Sequence, residues 1–263
     1  MSLTGKVAIV TGAVRGMGRA IARRLCEDGA SVFAVGRTGE EAPDVVDLLS
    51  TLGECTAFYC DLATPDQAEQ VTRECLKRYG RVDIVCNNAA TVGDRRPIHE
   101  QGAQSWHHIL QVNLISPFLI CKAAIADMLS RGVAGRIVNI ASIQASMPLP
   151  HYAPYAASKG GLISFTKSLA IEYASRGIIS NAIDVGCVLS EGMEEALKSA
   201  HADPRVDETG ARTGAATLNG RFGLPAEIAS LVRFLVSEEN SHVVGAVIRA
   251  DGGRSISRQR DPY

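Results

Sequence analysis

Short runs of β-branched and apolar residues alternate with longer amphipathic stretches along most of the chain. The runs predict strands at residues 6–11, 31–36, 55–60, 82–87, 136–141, 178–185 and 247–251. The amphipathic stretches predict helices at residues 18–28, 65–79, 106–130, 156–175 and 225–236. Several of the strands are apolar at consecutive positions, which is typical of strands with both faces buried. This alternation predicts an α/β fold, a doubly wound parallel sheet of seven strands with helices on both faces.

The length fits one large α/β domain. The chain has 263 residues, of which 46% are hydrophobic and 25 are glycine. We expect residues 1–263 to form a single domain, because no internal repeat or low-complexity linker divides them. The least regular stretch, about residues 190–220, is rich in Gly, Ala, Glu and Thr, and a loop of that length often serves as a lid. Residues 254–263 form a basic tail with few apolar residues.

Composition excludes several classes of protein. A formal net charge of -1 and only 5% aromatic residues give no footprint for nucleic acid. The sequence lacks a continuous apolar run of about 18 residues and a leader-like start, so we expect no membrane association and a cytoplasmic location. Seven cysteines without a Cys-x-x-Cys pair are typical of reduced thiols, and six dispersed histidines predict no metal site.

The first predicted strand runs into a glycine-rich turn and then into a helix. Gly12, Gly16 and Gly18 have the spacing Gly-x-x-x-Gly-x-Gly, and the Gly-Lys-Ser/Thr of a P-loop does not follow. Such glycines let a pyrophosphate approach the backbone, where the N–H groups of a helix N-terminus bind the anion. A glycine triplet alone also fits a plain turn, but the strand before it and the helix after it favour a dinucleotide site.

An ordered set of short motifs resembles the short-chain dehydrogenase/reductase family over essentially the whole chain. The motifs are Thr11 to Gly18, Asp61-Leu62, Asn87-Asn88-Ala89, Asn113, Ser142, Tyr155-Ala156-Ala157-Ser158-Lys159 and Asp251-Gly252-Gly253. Any one of them could arise by chance, whereas the ordered set is specific. The resemblance implies a single-domain Rossmann fold and hydride transfer between a nicotinamide and a carbonyl/alcohol pair.

The resemblance assigns the catalytic chemistry to Asn113, Ser142, Tyr155 and Lys159. Tyr155 would be the general acid in reduction and the general base in oxidation. Lys159, on the same helix face, would hold the nicotinamide ribose and, with the nicotinamide cation, lower the phenol pKa from its usual value of about 10. Ser142 would donate a hydrogen bond to the substrate oxygen, and Asn113 would fix a water that links the lysine to solvent. The neighbouring Tyr152 lacks a lysine four residues further on.

Two arginines favour NADP(H) over NAD(H). An acidic residue at the end of the second strand holds the ribose of NAD, whereas a nearby arginine accommodates the 2′-phosphate of NADP. Here the acidic position is Gly36, Arg37 follows it, and Arg15 lies inside the glycine loop, although two solvated surface arginines would give the same pattern. The resemblance assigns cofactor contacts to these two arginines, to the loop glycines and to Lys159. It implies further contacts at Met17, Asp61, Leu62, Asn88, Ala89, Val185, Gly186, Val188 and Ser190.

The segment after the sixth strand departs from the family pattern. Val185 replaces the usual proline before Gly186, and Ser190 replaces a threonine. Asp184 either places negative charge near the nicotinamide or has a partner in the sheet. Substrate contacts are expected at Gln144, Met147, His151 and Cys187.

The sequence leaves the substrate and the assembly open. The few large apolar residues in 190–220 favour a small or polar carbonyl or polyol, with a 3-oxoacyl-carrier reductase-like enzyme as one alternative. A non-catalytic NADP-binding sensor is a second alternative, but it would not need the Ser, Tyr and Lys residues. The helices at 106–130 and 156–175 correspond to those that form subunit contacts in the family, which implies a homotetramer or a dimer.

Overall fold

A computed structural model describes residues 2–37, 50–189 and 217–257. Its strands are β1 (Val7–Thr11), β2 (Ser31–Gly36), β3 (Cys55–Tyr59), β4 (Ile84–Asn87), β5 (Gly135–Ile140), β6 (Ile178–Val185) and β7 (Val247–Ala250). They form one seven-stranded sheet in the order β3-β2-β1-β4-β5-β6-β7, and every neighbouring pair is parallel. The predicted doubly wound parallel sheet is therefore confirmed. The order reverses between β1 and β4, and the carboxyl ends of the strands beside such a point are where open α/β sheets bind ligands.

Helices cover both faces of the sheet. They are α1 (Gly16–Glu27), α2 (Pro65–Tyr79), α3 (Ala103–Leu110), α4 (Ser116–Arg131), α5 (Ala153–Tyr173) and α6 (Pro225–Val236). The single helix predicted at 106–130 is two helices, because a π-helical segment, Gln111–Ile115, interrupts it. Within the described ranges, Ala103–Arg131 is the one helical run with the length and apolarity of a membrane span, and half of its most apolar window is buried in the fold.

The continuous apolar strands follow from burial on both faces. All five residues of β1 are buried. Ala8 and Val10 pack with Ile21 of α1 in one hydrophobic cluster, whereas Val7 and Ile9 belong to the cluster on the opposite face. Burial of each large aliphatic side chain contributes about 1.5–3 kcal/mol, so β1 is fixed rigidly at the point where the glycine loop begins.

Some of the predicted segments and site residues lie outside the described residues. This applies to Ser190, to the predicted lid at about 190–220 except for residues 217–220, and to residues 258–263 of the tail.

Candidate active site

The turn between β1 and α1 has a backbone that requires glycine. Gly12 and Gly16 have φ of 65° and 52°, in the left-handed region that other residues rarely adopt. At Gly18 the limit is space, because a Cβ there would lie 1.9 Å from the carbonyl oxygen of Gly12. The turn therefore brings the end of β1 directly against the first turn of α1.

A hydrogen-bonded clamp ties this turn to the end of β4. Thr11 Oγ1 accepts hydrogen bonds from the backbone N–H groups of Asn88 and Ala89, each at 3.0 Å. Asn88 Nδ2 donates to the carbonyl oxygen of Thr11 at 2.9 Å. The sequence motifs include these residues but did not predict the clamp. It joins the carboxyl ends of the neighbouring strands β1 and β4.

The N-terminus of α1 has the chemistry to bind an anion. Its N-cap residue, Arg15, makes no side-chain capping bond, and the first turn contains no acidic residue. A Cβ on Gly16 would meet nothing within 4 Å, so the backbone at this residue borders open space. The positive end of the helix dipole lies at this turn, and the turn fits the pyrophosphate of a dinucleotide.

The end of β2 has no room for an acidic side chain. A Cβ on Gly36 would lie 2.4 Å from Val14 Cγ1, inside van der Waals contact. Arg15 and Arg37 flank this point and are both exposed. Neither guanidinium forms an ion pair with any described residue.

Asp61 and Leu62 follow β3 at the same edge of the sheet. Asp61 Oδ1 accepts from the N–H of Ala63 at 3.0 Å, and its own N–H donates to Gln67 Oε1 at 2.7 Å. Leu62 is buried, and its carbonyl oxygen accepts from Ser116 Oγ at 2.7 Å. These hydrogen bonds hold the turn in one conformation at the carboxyl end of β3.

Tyr155, Lys159 and Ser142 meet where β5 ends against α5. Lys159 is almost completely buried, its Nζ lies 5.7 Å from the centroid of the Tyr155 ring, and it donates to the carbonyl oxygen of Ile140 at 2.7 Å. Burial lowers the pKa of Lys159 to about 8. Ser142 is buried, and its side chain lowers the pKa of the neighbouring Tyr155 phenol. The arrangement places a proton donor, a hydroxyl and an amine side by side.

The pKa of Tyr155 moves opposite to the expected direction. Burial raises it, and the hydrogen bond from Ser142 lowers it only in part. Lys159, whose ammonium donates to the Ile140 carbonyl oxygen, is not among the groups that shift this pKa, so the protein residues alone do not lower it. A positive charge on a bound nicotinamide would have to supply the lowering.

Asn113 lies in the π-helical segment and is fully buried. Its Oδ1 accepts from the N–H of Thr91 at 2.9 Å. Its Nδ2 donates to the Thr91 carbonyl oxygen at 2.9 Å and to Ser158 Oγ at 3.0 Å. Both amide hydrogens are therefore used. A water at this residue would have to bind a remaining lone pair of Oδ1 or the backbone carbonyl oxygen.

Asp184 has a partner in the sheet, which decides between the two alternatives. The residue is buried on β6, opposite Arg249 of β7. Its Oδ2 accepts from Arg249 Nε at 3.1 Å, and burial raises its pKa while the guanidinium lowers it in part. Its Oδ1 is buried without a hydrogen-bond partner among the described residues. Arg249 also donates to Ser146 Oγ at 3.3 Å and Ser255 Oγ at 3.0 Å, so it links β7 to the turn that follows Ser142.

The neighbours of Asp184 lie at the same end of the sheet. Val185 packs in the hydrophobic core, which leaves its backbone as the group that can face a ligand. A Cβ on Gly186 would lie 2.7 Å from Asp251 Cα, so glycine is required for the strand ends to approach. Val188 forms a parallel bridge with Gly223.

The predicted substrate residues lie on two turns and one strand end. Gln144 and Met147 belong to the turn after Ser142, and Gln144 Oε1 is buried without a described partner. His151 is exposed with φ of 70°, the one non-glycine residue with positive φ among those described. Cys187 is exposed beyond β6. Met17, a predicted cofactor contact, lies in the first turn of α1.

Known proteins are similar to this chain in sequence and in fold along almost their whole length. A family model described as enoyl-(acyl carrier protein) reductase matches residues 12–255. A 3-oxoacyl-[acyl-carrier-protein] reductase from Vibrio cholerae is 37% identical over 96% of this chain and 98% of its own. Glucose 1-dehydrogenase 2 from Bacillus subtilis is 30% identical over 97% and 96%. A candidate NAD(P)-dependent gluconate 5-dehydrogenase from Beutenbergia cavernae, solved with NADP at low occupancy, has a TM-score of 0.86 and 35% identity over 97% and 99%.

These matches and the site define a class of enzyme. The chain belongs to the short-chain dehydrogenase/reductase family. It is an NAD(P)-dependent oxidoreductase.

Proposed function

We propose that this enzyme interconverts a carbonyl group and a secondary alcohol on a small or polar substrate, with NADP(H) as the hydride carrier. The observation that carries the proposal is the cluster of Ser142, Tyr155 and Lys159 at the carboxyl edge of the sheet. We further propose that residues 1–263 act as one domain, with about 190–220 as a substrate lid and 254–263 as a tail.

The protein residues bind, orient and move one proton. The nicotinamide supplies or accepts the hydride when it is bound. Tyr155 donates its phenolic proton to the substrate oxygen in reduction and accepts a proton from the alcohol in oxidation. Ser142 donates a hydrogen bond to that oxygen and stabilises the charge that develops on it. Lys159 would hold the ribose hydroxyls of the cofactor, and Asn113 holds the π-helical segment through its hydrogen bonds to Thr91 and Ser158.

The expected dinucleotide contacts follow the edge of the sheet. Gly12, Gly16, Met17 and Gly18 would hold the pyrophosphate, and Asp61, Leu62, Asn88 and Ala89 would hold the adenosine. The backbone of Val185 and Gly186, together with Val188 and Ser190, would hold the nicotinamide. Support comes from the start of α1, where the N-cap Arg15 makes no side-chain capping bond and the first turn has no acidic residue, and from the clamp that holds Asn88 and Ala89 beside the loop.

The preference for NADP(H) is supported by charge and by space. Arg15 and Arg37 are two exposed cations at the end of β2, where a ribose 2′-phosphate would lie. Val14 occupies the space that an acidic side chain at position 36 would need. The end of β2 therefore offers two cations to a ribose 2′-phosphate and no space at position 36 for the acidic side chain that would bind the ribose hydroxyls.

Apolar exposure on α4 and α5 supports assembly with further copies of this chain. Phe118 of α4 is 43% exposed and Ile171 of α5 is 85% exposed. We propose a homotetramer or a dimer in which these helices face a second copy, and static light scattering that gives a monomer mass would contradict it. A cytoplasmic location is supported by seven free cysteines.

A substrate panel tests the proposed reaction. Sugars, polyols, keto esters, cyclic ketones and a 3-oxoacyl thioester are followed through the absorbance of NADPH, with NADH in parallel. We expect turnover of at least one polar substrate with a larger kcat/KM for NADP(H) than for NAD(H). Preferred turnover of the 3-oxoacyl thioester would favour the carrier-substrate alternative, which the 37% identical Vibrio cholerae reductase supports. Tight NADPH binding without any turnover would favour the sensor.

A further inference from the structure

The loop that follows β4 is fixed at both ends. At its start, Thr91 exchanges two hydrogen bonds with the Asn113 side chain, each at 2.9 Å. At its far end, Gln101 Nε2 donates to the carbonyl oxygen of Arg96 at 2.7 Å. Trp106 Nε1 donates in turn to Gln101 Oε1 at 2.9 Å. The residues between these anchors are therefore held in one place above the carboxyl edge of the sheet.

The middle of this loop places an arginine close to the proposed catalytic tyrosine. Gly93 turns the chain with φ of 65°, and a Cβ there would lie 2.3 Å from Ile109 Cδ1. Two residues later, the Arg95 guanidinium lies over the Tyr152 ring, with Cζ 4.9 Å from the ring centroid. The Tyr152 ring packs edge-on against the Tyr155 ring at 6.4 Å. One aromatic ring thus separates the guanidinium from the proposed acid/base.

Arg95 keeps its hydrogen-bonding capacity for a ligand. It is exposed, and none of the described carboxylates forms an ion pair with it, including the adjacent and exposed Asp94. A guanidinium stacked on a ring still has N–H donors along its edges, and their fork matches a carboxylate. Stacking also removes rotamer freedom before a ligand binds, so the anchor is already oriented.

We propose that Arg95 binds a carboxylate of the substrate, which makes the substrate a small hydroxy or oxo carboxylate. The carboxylate lies at Arg95 while the reacting oxygen lies at Tyr155 and Ser142. Tyr152 is the positioning residue that holds the guanidinium between the loop and α5. This inference rests on the proposed function, because it takes the Tyr155 phenol as the reacting end of the site.

Paired ligands that differ only in the acid group test the inference. Gluconate is compared with sorbitol, and acetoacetate with methyl acetoacetate, by calorimetric titration into the enzyme saturated with NADP⁺. Acetoacetyl-coenzyme A is titrated as well, because its phosphates are another source of negative charge. The variants are Arg95→Met, Arg95→Lys and the matched control Arg96→Met. The same pairs are then assayed for turnover, so that binding and reaction are measured separately.

We expect at least one acid to bind about tenfold or more tightly than its uncharged counterpart. Arg95→Met should remove that advantage, Arg95→Lys should keep part of it, and Arg96→Met should leave it within about twofold. For a reacting acid, Arg95→Met should raise KM by about tenfold or more and leave KM for the uncharged partner within about twofold.

Three outcomes would overturn the inference. They are equal binding of acids and uncharged partners, an acid preference that survives Arg95→Met, and a loss in Arg95→Met that affects acetoacetyl-coenzyme A but not the acids. Acid binding through Arg95 without turnover would support the inference and contradict the proposed reaction instead.

Discussion

The two halves of the site are built by different means. In the cofactor half, which comprises β1, α1 and β2, the backbone determines the geometry. Gly12 and Gly16 need left-handed φ, and Gly18 needs the absence of a Cβ. In the substrate half, at the ends of β4 to β7, side chains from distant elements determine it. Arg95 contacts Tyr152, and Asp184 contacts Arg249.

This difference shows where variation is tolerated. A backbone turn fails when one glycine gains a side chain, since the contacts are with main-chain atoms. A side-chain network loses one interaction at a time, so the substrate half can change specificity while the sheet stays intact. The following predictions separate the two halves.

Among variants that keep the Tyr155 phenol, removal of the Ser142 hydroxyl should have the largest effect on rate. Ser142→Ala removes a hydrogen bond to the reacting oxygen, and kcat/KM should fall by about a hundredfold or more. The same hydroxyl lowers the pKa of Tyr155, so its loss should shift the rising limb of the oxidation pH profile to higher pH. Steady-state kinetics across pH measures both effects. Ser146→Ala, four residues along the same turn, is the control and should stay within about twofold of the parent enzyme.

A methyl group in the glycine loop should affect the cofactor half alone. Gly18→Ala places a Cβ against the Gly12 carbonyl oxygen, and the affinity for NADPH should fall by about a hundredfold. Fluorescence titration measures this affinity. Gly102→Ala meets nothing within 4 Å and should bind NADPH like the parent. An unchanged affinity in Gly18→Ala would show that the turn tolerates a side chain.

An acidic residue at the end of β2 should act only when space is made for it. Gly36→Asp alone should weaken NADPH binding without improving NADH binding, because Val14 blocks the new side chain. Combination of Val14→Ala with Gly36→Asp should shift the ratio of kcat/KM values toward NADH by about tenfold. Improved use of NADH by the single variant would contradict the role of Val14.

The Asp184–Arg249 pair should show the smallest effect, in stability rather than chemistry. Arg249→Ala leaves a buried carboxylate without its partner, which should cost about 1–3 kcal/mol of unfolding free energy. Replacement of both partners by alanine should recover part of that loss.

The same pair gives a pH signature. Burial raises the folded-state pKa of Asp184 above its unfolded value, so its contribution to stability falls as pH rises through the folded pKa. The loss of unfolding free energy in Arg249→Ala should therefore be larger at neutral than at acidic pH, as measured by urea denaturation. Arg23→Ala, which breaks an exposed pair with Glu27, should cost about 0.5 kcal/mol or less at either pH. A deficit that grows on acidification would contradict this assignment.

The sequence predicted the elements well, because strands buried on both faces and amphipathic helices leave strong patterns. The strand predicted from residue 82 starts at Ile84, since the N–H of Val82 bonds Asp127 Oδ2 at 3.1 Å instead of a neighbouring strand. The π-helical segment could not be predicted, because its apolar spacing is helical and Asn113 is held there by Thr91, 22 residues away.

The candidate site could be predicted only where its residues lie close together in the sequence. The glycine loop and the Tyr155–Lys159 pair each lie within one short segment of chain. The contact between Arg95 and Tyr152 joins different elements, and the Asp184–Arg249 pair spans 65 residues. Such contacts follow from the sheet order, so residue patterns alone gave no signal for them.

The most direct test of the account is Tyr155→Phe, assayed for turnover and for NADPH binding on the same preparation. The variant keeps the ring that packs against Tyr152 and removes the phenolic proton. We predict that kcat falls by about a thousandfold or more while the dissociation constant for NADPH stays within about twofold. A variant that retains substantial kcat would show that another group transfers the proton and would contradict the central claim.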